Sequence, residues 1–116
     1  MIKVTLFKQP DDFIQKFTVS GHSGYAPEGS DIICAAVSAL AQTTIGALED
    51  LTRLVIKYQI SDEDAYLECT MQSSQGSDNE DLKIASTITR TFEIGCKLIM
   101  DSYGKKYIKI INSSFN

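Results

Sequence analysis

The chain begins with alternation. Ile2, Val4 and Leu6 interleave with Lys3, Thr5, Phe7 and Lys8, which predicts a strand with one mostly apolar face. Gln9-Pro10-Asp11-Asp12 supplies turn chemistry. A second run, Phe13 to Ser20, with Phe13, Phe17 and Val19 among its β-formers, completes an expected antiparallel hairpin. Gly21 ends that strand, and residues 21–30 read as a loop. The period then changes. Ile33, Ala36, Val37, Leu40, Ala47, Leu48 and Leu51 follow helical spacing, so a helix is expected from about Ile32 to about Arg53, with Ser30 or Asp31 as its N-cap. Glu49 and Arg53 are expected to pair across one helical turn. Ala35, Ala36, Ser38, Ala39 and Ala41 keep the early helix thin enough to approach a sheet closely. Two further strands, Val55 to Ile60 and Ala65 to Gln72, flank a turn at Ser61-Asp62-Glu63-Asp64. Ser77 or Asp78 can cap a second helix over roughly residues 79–102, whose inner face carries Leu82, Ala85, Ile88, Phe92, Cys96 and Ile99. Gly104 stops it, Tyr107 to Ile111 form a last strand, and Asn112 to Asn116 are expected to fray.

The predicted order is β-β-α-β-β-α-β. The fold class that follows is α+β, with one sheet packed with two helices in two layers, a three-layer arrangement being the alternative. At 116 residues the chain is read as a single domain, 1–116, able to bury about two-thirds of its unfolded surface.

Composition narrows the class. A hydrophobic fraction of 43% and a charged fraction of 22% are those of a soluble globular protein. No apolar run is expected to reach the roughly 20 residues of a membrane span, and the alternating N-terminus lacks a signal-peptide core, so the reading is cytoplasmic with no membrane partner. A net charge of −4 argues against direct nucleic-acid binding, which wants a basic face. Lys105, Lys106 and Lys109 read as a solvated strand edge. The three cysteines, Cys34, Cys69 and Cys96, are odd in number and widely spaced, which speaks against a disulfide framework. One histidine and no C-x-x-C pair speak against a structural zinc site; no metal or cofactor is expected.

The chemistry concentrates around the loop. His22 is the only histidine and follows Gly21 at a strand end; Cys34 falls in the first turn of the next helix. With Asp31 as cap, Cys34 is the third helical residue, where unpaired N–H groups and the helix dipole favour the attacking thiolate. A cysteine with a histidine in reach is a nucleophile with its base. The competing reading makes Cys34 a small packed residue and His22 a surface side chain. Ser38 shares a helical face with Cys34 and can donate to the sulfur or to a substrate carbonyl; it also suits a plain helix surface. Asp31 can orient His22 or cap the helix. Cys69 and Cys96 read as core.

Gly21-His22-Ser23-Gly24-Tyr25, then Gly29, then Asp31-Ile32-Ile33-Cys34-Ala35-Ala36-Val37-Ser38-Ala39-Leu40 resembles the signature of the bacterial ribosomal-processing cysteine proteases. The likeness extends along the chain in length and element order. Ser23 stands where that family more often has alanine. The resemblance implies an α+β fold, with His22 as catalytic base and Cys34 as nucleophile. Asp31 and Ser38 are read beside them as supporting residues, and Gly21, Ser23, Gly24, Tyr25 and Gly29 as a substrate loop. The resemblance also implies removal of a short apolar N-terminal extension from the precursor of a large-subunit ribosomal protein (number twenty-seven), by a homodimer. The loop over residues 23–30 would be a moving cover, with Tyr25 and Pro27 over an apolar peptide, and N–H groups at the helix start would hold the oxyanion. Two rival classes stand beside this: a non-catalytic peptide-binding or ribosome-assembly module, and a thiol hydrolase or acyltransferase of small molecules.

Overall fold

A computed structural model of the chain describes residues 1–27 and 31–115. Seven elements follow in order: β1 (Ile2–Lys8), β2 (Ile14–Ser20), α1 (Ile32–Leu51), β3 (Val55–Ser61), β4 (Tyr66–Gln72), α2 (Asn79–Tyr103) and β5 (Ile108–Ser114). The β-β-α-β-β-α-β order is as expected. The strands form one five-stranded sheet in the order β3-β4-β2-β1-β5. Neighbours run antiparallel except β1 and β5, which pair in parallel from Ile2 opposite Ile108 to Lys8 opposite Ser114.

One face of the sheet carries the core. Ile2, Val4 and Leu6 of β1, Leu67, Cys69 and Met71 of β4, and Ile108 of β5 are buried together with helix residues. In β2 the alternation breaks. The register shifts between Phe7 and Lys8, so Lys8 pairs with Ile14 while Phe7 pairs with Lys16. This bulge brings Ile14 and Phe17 to the same buried face, three residues apart, and Phe13 is left at the margin. Phe17 meets Phe92 of α2 at a centroid distance of 4.7 Å. The two helices touch at Gly95, where an added Cβ would lie 2.8 Å from Leu40 Cδ1.

Several boundaries differ from expectation for physical reasons. The buried stripe of α1 is Ile33, Val37, Ala41, Thr44, Ile45 and Leu48, and Leu51, expected on the apolar face, is 60% exposed at the helix end. The helix ends at Leu51 because Thr52 turns to extended backbone. That turn carries Arg53 away from Glu49. Its guanidinium instead meets Asp78 at 3.2 Å and Asp81 at 3.0 Å. Asp78 and Asp81 form the capping box that opens α2. The expected frayed tail is largely strand. Asn112, Ser113 and Ser114 pair with β1, and the Phe115 N–H donates to the Lys8 carbonyl at 3.0 Å. Backbone pairing with a strand that would otherwise be an edge needs no apolar side chains, so composition concealed it. Finally, α1 is 20 residues long with a mean hydropathy of 1.5 in its 18-residue window, long and apolar enough by composition to cross a membrane, contrary to the expectation that no run reaches that length. Here its buried stripe packs into the core shared by the sheet and α2.

Candidate active site

The end of β2 and the start of α1 meet beside a cavity of about 580 Å³. Gly21 sits at φ +90°, and a Cβ there would lie 2.6 Å from the Met1 carbonyl oxygen, so only glycine lets the chain turn this close to β1. Its N–H donates to the Ala65 carbonyl at 2.9 Å, which ties the turn to the β3–β4 connection. His22 follows, exposed and lining the cavity. Ser23 turns inward and is buried. Its N–H donates to Cys34 Sγ at 3.4 Å, so the residue next to His22 is hydrogen-bonded to the cysteine.

Cys34 is half-buried in the first turn of α1 and lines the same cavity. Asp31 is the N-cap: its Oδ1 accepts from the N–H groups of Ile33 and Cys34, both at 3.0 Å. Its Oδ2 accepts from the Ser23 hydroxyl. Burial pushes the Asp31 carboxyl up, but the bonds from the Ser23 hydroxyl and from the Cys34, Ala26 and Ile33 N–H groups outweigh it and hold it at about 2 against an ordinary 3.8. The depressed value makes this carboxylate a stabilising group above pH 3.8 whose contribution is lost as the pH falls toward 2.

Of the sequence-predicted residues, Gly21, His22, Gly24, Asp31, Cys34 and Ser38 line the cavity. Ser38 is exposed there and accepts from Gln42 Nε2 at 3.0 Å. Asp31 spends its oxygens on the helix and on Ser23 rather than on His22. The first-turn N–H groups proposed for the oxyanion are those Asp31 already engages. Tyr25 lies apart from the cavity lining, edge-on to Tyr103 at 5.8 Å and Tyr107 at 5.2 Å. Gly29 and the alternative cap Ser30 lie outside the described residues, as does Glu28, so the expected cover is described only through Pro27.

Sequence reasoning missed the walls. Ile2, Val19, Val37 and Leu67 supply apolar surface, and Asp62 and Tyr66 reach in from the β3–β4 connection. The pairing of Ser20 with Tyr66 and the Gly21 N–H on the Ala65 carbonyl bring that connection beside residue 21. No local pattern announces such a neighbour.

The other two cysteines lie elsewhere. Cys69 and Cys96 are both 0% exposed. Burial pushes each thiol up to about 12, with Glu49 adding to the effect at Cys69 and Glu93 at Cys96. The neutral thiol is thus the folded form, and its contribution to stability is complete below pH 9 and lost as the pH rises toward 12. Brief iodoacetamide treatment of the folded protein at neutral pH is expected to label Cys34 and spare the other two. Peptide mapping reads this directly, and equal labelling of all three would contradict it.

No curated protein sequence matches the chain significantly. Among solved structures, the essential ribosomal processing protease Prp from S. aureus with a covalently linked product peptide superposes with a TM-score of 0.83 at 19% identity, over 97% of this chain and 100% of that one. The same S. aureus protease with a substrate peptide gives 0.78 at 19% identity and equal coverage. SMU.848 from Streptococcus mutans gives 0.76 at 23% identity, over 99% and 96% of the two chains. At these identities the likeness is one of fold. In sequence, the family profile described as cysteine protease Prp matches residues 1–109, and by that match the chain belongs to the Prp family of cysteine proteases.

Proposed function

We propose that the protein is an endopeptidase that removes a short apolar N-terminal extension from the precursor of a large-subunit ribosomal protein, number twenty-seven, with Cys34 as nucleophile and His22 as base. One observation carries the residue assignment. The Ser23 N–H on Cys34 Sγ joins the end of β2 to the first turn of α1, so that His22 and Cys34 open onto one largely apolar cavity. The S. aureus relatives, ribosomal processing proteases held with peptides, support the substrate class. A cytoplasmic location, inferred from the sequence pattern, and a homodimer, implied by the family resemblance, belong to the proposal.

His22 accepts the thiol proton, and the sulfur attacks the scissile carbonyl carbon. The carbonyl electron pair moves to oxygen as the C–S bond forms. The Ser23 N–H, which already lies on the sulfur, stabilises the attacking thiolate. Collapse of the intermediate breaks the C–N bond, and His22 returns the proton to the leaving amine. Water then attacks the thioester as His22 takes its proton, the C–S bond breaks, Cys34 leaves as the thiol, and the N-terminal fragment departs as a carboxylate.

The test is incubation of the purified protein with a peptide spanning the extension and the first mature residues. A single cut is expected, with the apolar fragment trapped on Cys34 as a thioester after rapid acid quench and mass analysis. Binding without a cut would point to a peptide-binding module instead.

A further inference from the structure

Ser23 is 2% exposed between two exposed neighbours, His22 and Gly24. A hydroxyl that deep must find partners, and this one has two: it donates to Asp31 Oδ2 and accepts from the Tyr25 N–H at 3.0 Å. Asp31 is in turn bonded to the Cys34 N–H at 3.0 Å, and the Ser23 N–H lies 3.4 Å from the Cys34 sulfur. Residue 23 therefore holds the first turn of α1 at two points, the cap carboxylate through its side chain and the sulfur through its backbone. The turn has little stiffness of its own. Gly21 at φ +90° and Gly24 at φ +76° flank the serine.

We infer that Ser23 is a positioning residue: its hydroxyl bond to the N-cap aspartate of α1 clamps the turn after β2 against the first helical turn and keeps its own N–H on the Cys34 sulfur. The inference rests on the reading of Cys34 as the nucleophile. Alanine has the same Cβ and fits the space, but it leaves Asp31 Oδ2 without this donor.

The test uses the full chain with Ser23→Ala and Ser23→Thr. Three readings are taken: the Asp31 carboxyl titration by carbon NMR, the rate of Cys34 alkylation by iodoacetamide at neutral pH, and kcat and KM for the precursor peptide. In Ser23→Ala the Asp31 midpoint is expected to rise from about 2 toward 3.8. Alkylation of Cys34 is expected to slow about tenfold, the worth of one hydrogen bond, with kcat falling similarly and KM unchanged. Ser23→Thr, which keeps the hydroxyl, restores all three. A serine that merely stabilised the fold would lower the unfolding midpoint and leave Cys34 of the folded variant alkylating as before. A native alkylation rate at Cys34 of folded Ser23→Ala overturns the inference, whatever the Asp31 titration does. If the unsubstituted protein cuts no peptide while titration and alkylation change as stated, the role of Ser23 stands and the peptidase reading falls.

Discussion

Replacing Cys34 with alanine is expected to abolish cleavage of the precursor peptide, and replacing His22 with alanine to slow it by about 10²–10⁴-fold, the usual worth of a positioned acid–base group. The two losses differ in kind. Without Sγ there is no atom to form the acyl-enzyme, so binding can persist while chemistry stops. Without the imidazole the sulfur is still present, and the missing steps are removal of its proton and protonation of the leaving amine. The Cys34→Ala protein should therefore still bind the peptide, while His22→Ala should show a fall in kcat that deepens as the pH is lowered. The double variant should be no slower than Cys34→Ala alone, because the two groups act on one step. Initial rates from separated cleavage products decide the matter. Near-normal turnover by either single variant would remove that residue from the mechanism and leave the cavity to other chemistry.

Replacing Phe92 with alanine is expected to destabilise the fold by about 3–5 kcal/mol, the range found for large buried aromatics. Phe92 is 1% exposed on α2 and lies tilted against Phe17 of β2, their rings 4.7 Å apart at 36°. Truncation removes that contact and opens a void between β2 and α2, and the bulge that placed Phe17 there cannot relax without losing the pairing of Lys8 with Ile14. Against a typical total stability of roughly 5–15 kcal/mol, the loss is a large fraction. Ile94 is the internal control: two residues away on the same helix, it is 56% exposed, and alanine there should change stability by less than about 0.5 kcal/mol. Urea unfolding of the three proteins measures both effects. Equal midpoints for the two variants would mean that the Phe17–Phe92 contact contributes little.

Local patterning was enough for the element order, because each element is at least seven residues long and is set off from the next by turn or capping residues. It failed where backbone geometry or a distant partner decides. The bulge in β2 shifted the inward residue from Phe13 to Ile14, a choice made by pairing with Lys8 and invisible in an alternating run. Thr52 ended α1 early and sent Arg53 to the opening of α2. Ser113 and Ser114 became strand because β1 offered hydrogen bonds, not because their side chains favour one.

The candidate site divides in the same way. A glycine before the only histidine, and a cap candidate at Ser30 or Asp31 ahead of a cysteine, are local facts, and the sequence alone determined that Cys34 falls in the first turn of a helix after a glycine-rich loop. The structure makes Asp31 the cap and gives Gly21 its positive φ against the Met1 carbonyl. The tertiary structure decided what surrounds them. The strand order places the β3–β4 connection beside Gly21, the sheet face supplies Ile2, Val19 and Leu67 as walls, and Tyr25 goes to Tyr103 and Tyr107 instead of the cavity. It also decided what Ser23 does. By sequence it falls in the substrate loop, but here the turn directs it inward to the Asp31 carboxylate, because a buried hydroxyl and a buried charged cap each need a partner and find it in the other.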